Sequence, residues 1–69
     1  MKISARNQLK GKVVAIDKGA VNGIVKLDIG NEVIVSATIS LDAISELGLE
    51  IGSEACAVIK ATSVMIAID

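Results

Sequence analysis

The sequence contains no histidine and no aromatic residue, and its only cysteine is Cys56. One cysteine excludes an intramolecular disulfide, and without histidine or a cysteine pair there is no ligand set for a structural zinc ion. The missing aromatic rings argue against a reader of single-stranded nucleic acid, because such readers stack bases on rings. Seven basic and eight acidic residues give a net charge of −1, so the basic surface of a nucleic-acid-binding protein is also missing.

Long apolar runs are missing as well. No stretch approaches the eighteen or more apolar residues of a membrane span, and the start of the chain lacks the hydrophobic region of a signal peptide. A lone unpaired cysteine fits a reducing compartment. We therefore expect a cytoplasmic protein with neither membrane nor nucleic acid among its partners.

The chain is unusually rich in small and β-branched apolar residues. Hydrophobic residues make up 52% of the chain, and the mean hydropathy is +0.67. A chain of 69 residues forms one domain, residues 1–69, and buries only about 60% of its unfolded surface. Ordering it costs on the order of 100 kcal/mol. Since disulfides and zinc are excluded, self-association is the remaining way to enlarge the core, and we expect an obligate oligomer.

β-Branched residues mark three strands in the first half of the chain, at residues 13–16, 21–29 and 33–39. Apolar and polar residues alternate along the second strand from Ile24 onward, which is typical of a half-buried antiparallel strand. Gly30 and Asn31 tolerate positive φ and predict a hairpin turn, and residues 17–20 predict another turn. Asn22-Gly23 is interpreted as a β-bulge rather than a turn.

A short helix is predicted over residues 40–48. Ser40 suits the N-cap, Asp42 suits the first turn, and Gly48 suits the position after the C-cap. Leu41, Ile44 and Leu47 are spaced three apart and form one apolar stripe that faces the core.

Two further strands follow, at residues 54–60 and 64–68, and Val64, Ile66 and Ile68 alternate with Met65 and Ala67 in the last one. Five strands with one short helix between the third and fourth predict an all-β fold. The expected architecture is a five-stranded OB-like Greek-key barrel.

Catalytic residues are hard to find. No histidine is available as a base beside a serine or cysteine nucleophile. Asp42 and Glu46 lie four apart on the predicted helix, but a dipole partner and a solvated face explain them. Cys56 is predicted to be a buried, inert thiol in the middle of a strand. We therefore predict that the protein is not an enzyme.

Two polar clusters, residues 4–7 and 60–63, interrupt the apolar chain. Both offer hydrogen-bond donors and neither contains a carboxylate, which suits a fully deprotonated oxyanion. Ser40 at the predicted helix start adds a third donor of this kind. On spacing alone two interpretations remain: an anion site, or ordinary strand-end and turn residues.

Three segments resemble one known family. SARNQLKGKV at 4–13, ISLDAISELGL at 39–49 and AVIKATSVMI at 57–66 are similar to the molbindins, small cytoplasmic molybdate-binding proteins. They are also similar to the related domain of molybdate-responsive regulators and molybdate transport ATPases. The resemblance covers essentially the whole chain. It implies an OB-like barrel, a homohexamer built as a trimer of dimers, and molybdate or tungstate bound between subunits by hydrogen bonds without metal–protein coordination.

The resemblance also implies a set of site residues. Ser4 would donate its hydroxyl, Arg6 its charged N–H groups, and Lys60 a second positive charge, with the Lys60 turn coming from a neighbouring subunit. The other residues of the set would contribute backbone N–H groups, help to frame the site or supply a hydroxyl. The implied oxyanion site comprises Ser4, Ala5, Arg6, Asn7, Ser40, Lys60, Ala61 and Thr62.

The sequence departs from the family at one position. Some members carry a second serine three residues after the hydroxyl position matched by Ser40, but this chain has Ala43. One donor is therefore lost, and two outcomes stay open: changed affinity or selectivity, or compensation by Thr62. Family members also bind anion on the threefold axis, and no residue of this chain is assigned to such a site.

Three functions from different classes follow. The leading hypothesis is cytoplasmic binding and storage of molybdate or tungstate, with no cofactor. The alternative is a regulatory or interaction module that reports molybdate status to a protein partner. An oligonucleotide-binding OB domain is disfavoured by the missing rings and the negative net charge. The donors alone do not distinguish molybdate from tungstate or sulfate, since all three are tetrahedral dianions.

Overall fold

The protein forms one curled antiparallel sheet of four strands in the computed structural model, which describes residues Met1–Asp69. The order across the sheet is β3-β2-β1-β4, and one short helix, α1, links β3 to β4. The bounds are β1 Asn7–Lys18, β2 Asn22–Asp28, β3 Ile34–Ser40, α1 Leu41–Glu46, β4 Glu54–Ile59 and a 3-10 turn at Ala61–Ser63. The predicted all-β fold with one helix between the third and fourth strands is confirmed.

The predicted fifth strand is wrong for the single chain. Residues 64–68 belong to no strand, and Met65, Ile66 and Ile68 are 92%, 88% and 92% exposed. Their alternating pattern correctly marks chain that suits a sheet, but a pattern does not say whether an edge is within reach. The barrel is therefore open, and both β3 and β4 have an unpaired edge.

β1 is much longer than predicted and begins at Asn7 instead of residue 13. Its inward positions, such as Leu9 and Val13, are apolar or small, whereas its outward positions carry Gln8, Lys10 and Lys12. A search for β-branched residues overlooks such a half-polar strand. The other predicted elements agree with the structure to within about two residues, which is ordinary uncertainty for element ends.

The bulge lies in β1, and the prediction at Asn22-Gly23 is wrong. The register between β1 and β2 shifts between Val13 and Ala15, while Gly23 pairs regularly with Lys18. Gly23 is buried under the helix, where an added Cβ would lie 2.6 Å from Cδ1 of Ile44. The glycine therefore makes room for α1 on the sheet.

The turns follow the predicted chemistry with small shifts. Gly30 and Asn31 have φ of +99° and +52°, and Glu32 extends the left-handed stretch with φ of +63°. The predicted turn at residues 17–20 begins later, because β1 continues to Lys18. The Gly19 N–H donates to the Asn22 carbonyl at 2.8 Å and closes that turn.

Both ends of α1 are capped as predicted. The Ala43 N–H donates to Oγ of Ser40 at 3.0 Å. Gly48 has φ of +64° and donates to the Ser45 carbonyl at 3.0 Å, while the Leu49 N–H reaches the Ile44 carbonyl at 3.1 Å. These two bonds form a Schellman motif, which satisfies carbonyls that the helix leaves free.

The core under the helix is small. Ile44 of α1 packs on Val13, Val25 and Leu27, and these four are the buried hydrophobic residues of the chain. Leu47 does not complete the predicted helix stripe, because it is the C-cap residue and is 68% exposed. Cys56 is half-buried instead of buried. The longest helix, α1 with six residues, is too short to span a membrane.

Two glycines of the sheet offer a matched stability test. A Cβ at Gly11 would overlap the carbonyl oxygen of Asp28 and lie 2.9 Å from its carbonyl carbon, whereas the obstacle at Gly23 is the tip of the Ile44 side chain. Backbone yields less than a side-chain tip, so Gly11→Ala should destabilise the fold by about 1–3 kcal/mol and Gly23→Ala by less. Urea unfolding at one fixed protein concentration measures both, and an equal or larger loss for Gly23→Ala would contradict this account.

Candidate functional site

The pairing of β1 with β4 brings the two polar clusters together. The last pair of this register is Asn7 with Ile59, at the start of β1 and the end of β4. The preceding segment, residues 4–6, and the following segment, residues 60–62, therefore leave the sheet at the same corner. Within one chain the Lys60 turn lies beside the Arg6 segment, and the contribution of a Lys60 turn from a neighbouring subunit stays a prediction.

The corner gathers positive charge. Arg6 immediately precedes Asn7 and Lys60 immediately follows Ile59, so the two cations flank the last pair of the β1–β4 register. Both residues are exposed. Guanidinium and ammonium groups are donors only, and residues 2–8 and 58–63 contain no carboxylate. Two exposed cations at the same end of the register, in segments without a carboxylate, favour a bound anion.

Hydroxyl and backbone donors lie in the same two segments as these cations. Ser4 lies two residues before Arg6 and is exposed, as is Thr62 two residues after Lys60. The Ala61–Ser63 turn is closed by the Ser63 N–H donating to the Lys60 carbonyl at 2.8 Å. Ala61 and Thr62 are the first two residues of this turn, and the first N–H groups of a helical turn have no acceptor within it.

Two carboxamides shape the corner. Nδ2 of Asn7 donates to the Ile59 carbonyl at 3.2 Å, across 52 residues of sequence. Nε2 of Gln8 donates to the Ala5 carbonyl at 3.1 Å. Asn7 therefore uses its side chain to join β1 to β4. The Gln8 bond stays within the first segment, and an exposed glutamine at the start of a strand gives no sequence signal of such a contact.

Ser40 is not part of this corner within one chain. It pairs with Asn22 at the end of the sheet where Lys18 pairs with Gly23, whereas Asn7 begins the opposite end of β1. The twelve residues of β1 make eleven steps, or roughly 36 Å along the strand. Oγ of Ser40 accepts the cap bond from Ala43, so its own hydroxyl hydrogen is left to donate elsewhere.

Ala43, where some family members carry a second serine, lies close to Ser40. Ala43 is on the first turn of α1 and is half-buried, and its N–H is already used by the cap. Thr62 lies beyond the end of β4, at the Arg6 corner. Within one chain, the Thr62 hydroxyl therefore does not replace a hydroxyl at position 43.

Two other surface depressions are less suited to an anion. An open one of about 700 Å³ on the outer face mixes Lys10 and Lys12 with Asp28 and Glu54. A groove of about 550 Å³ on the inner face is lined mostly by apolar side chains of β2, β3 and β4, with Leu47 and Leu49 beyond the helix. No group of three or more histidine, cysteine, aspartate or glutamate residues is placed to hold a metal ion.

Comparison with known proteins assigns the chain to a family. The family model described as TOBE domain matches residues 3–66. A "Probable molybdenum-pterin-binding protein" from Haemophilus influenzae is 62% identical over 69 residues, which is the whole of both chains.

Two solved structures are similar over nearly the whole chain. MopII from Clostridium pasteurianum has a TM-score of 0.91 and 51% identity, covering 97% of this chain and 100% of that one. A molybdate-binding protein from Sporomusa ovata has a TM-score of 0.92 and 34% identity, covering 99% and 100%. The resemblance drawn from three sequence segments is confirmed.

The cap at Ser40 can be separated from any role in binding. Ser40→Ala removes the acceptor for the Ala43 N–H and should cost about 1 kcal/mol of unfolding free energy. Ser40→Asp keeps an acceptor and suits the N-terminal end of the helix, so it should stay close to wild type. Urea unfolding compares the three proteins; an aspartate as costly as the alanine would show that the cap is not what Ser40 contributes to stability.

Proposed function

This chain belongs to the TOBE domain family, and on that premise we propose that it binds molybdate or tungstate and stores the anion in the cytoplasm without converting it. The observation that carries the proposal is the corner where Arg6 and Lys60 flank the last pair of the β1–β4 register. The molybdenum-pterin-binding relative and the molybdate-binding neighbour support the same ligand. The chain is then a binding protein and not an enzyme.

The chemistry of the corner fits a metal that is bound as an oxyanion, already coordinated by its own oxygen atoms. A tetrahedral dianion presents only acceptors, and the corner offers many donors and no carboxylate: a guanidinium, an ammonium, hydroxyls and backbone N–H groups. Hydrogen bonds from charged donors to an anion are short and strong. A chain without histidine and with one cysteine has little to offer a bare molybdenum ion, so the protein holds the oxyanion and not the metal.

The relative's name mentions a pterin, but the residues favour the inorganic anion. A pterin offers a flat ring for stacking and an edge with donors as well as acceptors. This chain has no aromatic residue, and the corner has no carboxylate to accept from such an edge. The ligand of the proposal is therefore the oxyanion alone.

Completion of the site requires a second copy. Ser40 is the remaining hydroxyl implied by the molbindin resemblance, yet it lies at the opposite end of β1 from Arg6. A neighbouring subunit that turns its Ser40 toward this corner would add a donor from outside the chain. The anion then lies between subunits, with Arg6 and Lys60 from one chain and Ser40 from the next.

The tail supplies a reason for the chain to assemble. Residues 64–68 alternate like a strand, are exposed, and follow a 3-10 turn after β4. The apolar groove lies between the unpaired edges of β3 and β4. The tail of one copy pairs with a sheet edge of another in this proposal, which covers Ile66 and Ile68 and enlarges both cores. Repetition of such contacts builds the homohexamer, a trimer of dimers.

Native mass spectrometry of the purified chain tests the proposal. We expect a hexamer that gains mass with molybdate and keeps it against excess sulfate. A hexamer that never takes up molybdate would reject the proposed ligand and favour the interaction-module alternative, which a pull-down with and without molybdate then examines.

Arg6 should dominate the affinity. Arg6→Ala removes a charged donor and should weaken molybdate binding by about 1.5–3 kcal/mol, or roughly ten- to a hundredfold. Lys26→Ala is the matched control, because it also removes one exposed positive charge but lies on β2 opposite Ser36, away from the corner. Calorimetry measures both, and equal losses would show that net charge, and not Arg6, sets the affinity.

The tail prediction uses two charges on opposite faces. Val64, Ile66 and Ile68 share one face of the predicted strand, and Ala67 lies on the other. Ile66→Asp should lower the oligomer mass at micromolar concentration, because it buries a charge under the neighbouring sheet, while Ala67→Asp should change it less. Sedimentation equilibrium gives the masses. An unchanged mass for Ile66→Asp would exclude the tail as the subunit link.

A further inference from the structure

We propose that Asn7 is a positioning residue, whose side-chain amide joins the two halves of the anion site. Its hydrogen bond to the Ile59 carbonyl connects the residue that follows Arg6 to the residue that precedes Lys60. The inference rests on the proposed function, in which Arg6 and Lys60 hold the same anion. It gives Asn7 a different role from the backbone donor or framing residue suggested by the resemblance.

The Asn7 side-chain bond lies at the very end of the β1–β4 pairing. The Asn7–Ile59 pair is the last of the β1–β4 register, so no further strand pairing holds the chain beyond it. Asn7 is half-buried, whereas Arg6 and Lys60 are both exposed. The amide therefore adds a side-chain bond at the point where strand ends otherwise separate readily.

Electrostatics oppose the arrangement that the bond maintains. Arg6 and Lys60 carry like charges and flank the last pair of the β1–β4 register. In the absence of anion their repulsion acts to part the two strand ends. A bond that holds the ends together before the anion arrives lowers the ordering cost of binding, which is the general benefit of a preorganised site.

Gln8 provides the contrast within the same corner. Its Nε2 donates to the Ala5 carbonyl at 3.1 Å, so this bond stays within the first segment and spans three residues. Gln8 is exposed and belongs to the same strand start as Asn7. Gln8→Ala therefore removes one carboxamide hydrogen bond without disconnecting β1 from β4.

The first test is a double-mutant cycle with molybdate as the titrant. Calorimetry on wild type, Asn7→Ala, Lys60→Ala and the double variant gives the loss caused by Asn7→Ala in each background. A positioning residue acts through the pair, so we expect about a five- to tenfold loss when Lys60 is present and less than about twofold when it is absent. Gln8→Ala should lose less than about twofold. An equal loss from Asn7→Ala in both backgrounds, or none in either, would overturn the proposal.

The second test needs no ligand. Amide hydrogen exchange of residues 57–59, which pair with β1, reports whether the end of β4 is held, and it should speed up in Asn7→Ala but not in Gln8→Ala. Unchanged exchange in Asn7→Ala would refute the joining role whatever the protein binds. Wild-type protein that takes up no molybdate would instead refute the proposed function, while exchange still decides whether Asn7 joins the two segments.

Discussion

The pairing of β1 with β4 is the constraint on which the candidate site depends. Antiparallel pairing sets the start of one strand beside the end of the other, and here the register ends at Asn7 and Ile59. Two segments separated by more than fifty residues of sequence thus leave the sheet side by side, and each carries one exposed cation. A shift by one residue would change which residues meet at this corner and would turn the inward side chains of one strand outward, because side-chain direction alternates along a strand.

The sheet that holds this corner is incomplete by itself. Four buried apolar side chains form the core, and Gly11 of β1 lies so close to the Asp28 backbone at the end of β2 that a side chain there would clash. Many large apolar residues stay exposed, most of all in the tail. Such a surface is unusual for a stable monomer and typical of a chain that buries it against other copies. Assembly and ligand binding are therefore linked in the proposed function: both require a second subunit.

The two ends of α1 show how far local signals reach. Ser40 and Gly48 mark the helix in the sequence, and the structure uses both as caps, because capping involves only residues within about five positions of each other. Leu47 was placed in the core by the same reasoning and is exposed, since spacing along a helix does not say where the helix ends relative to the sheet beneath it.

The sequence alone determined the class of fold, the helix with its caps, the hairpin turn at Gly30-Asn31, the family, and the two donor clusters without carboxylates. Each of these rests on composition, on alternation, or on contacts within a few residues. Only the tertiary structure decided that the bulge lies after Val13, that residues 64–68 stay unpaired, that Lys60 adjoins Arg6 in one chain, and that Ser40 lies at the far end of β1. These depend on register between strands distant in sequence and on which sheet edges remain open, and neither is encoded in any short stretch of residues.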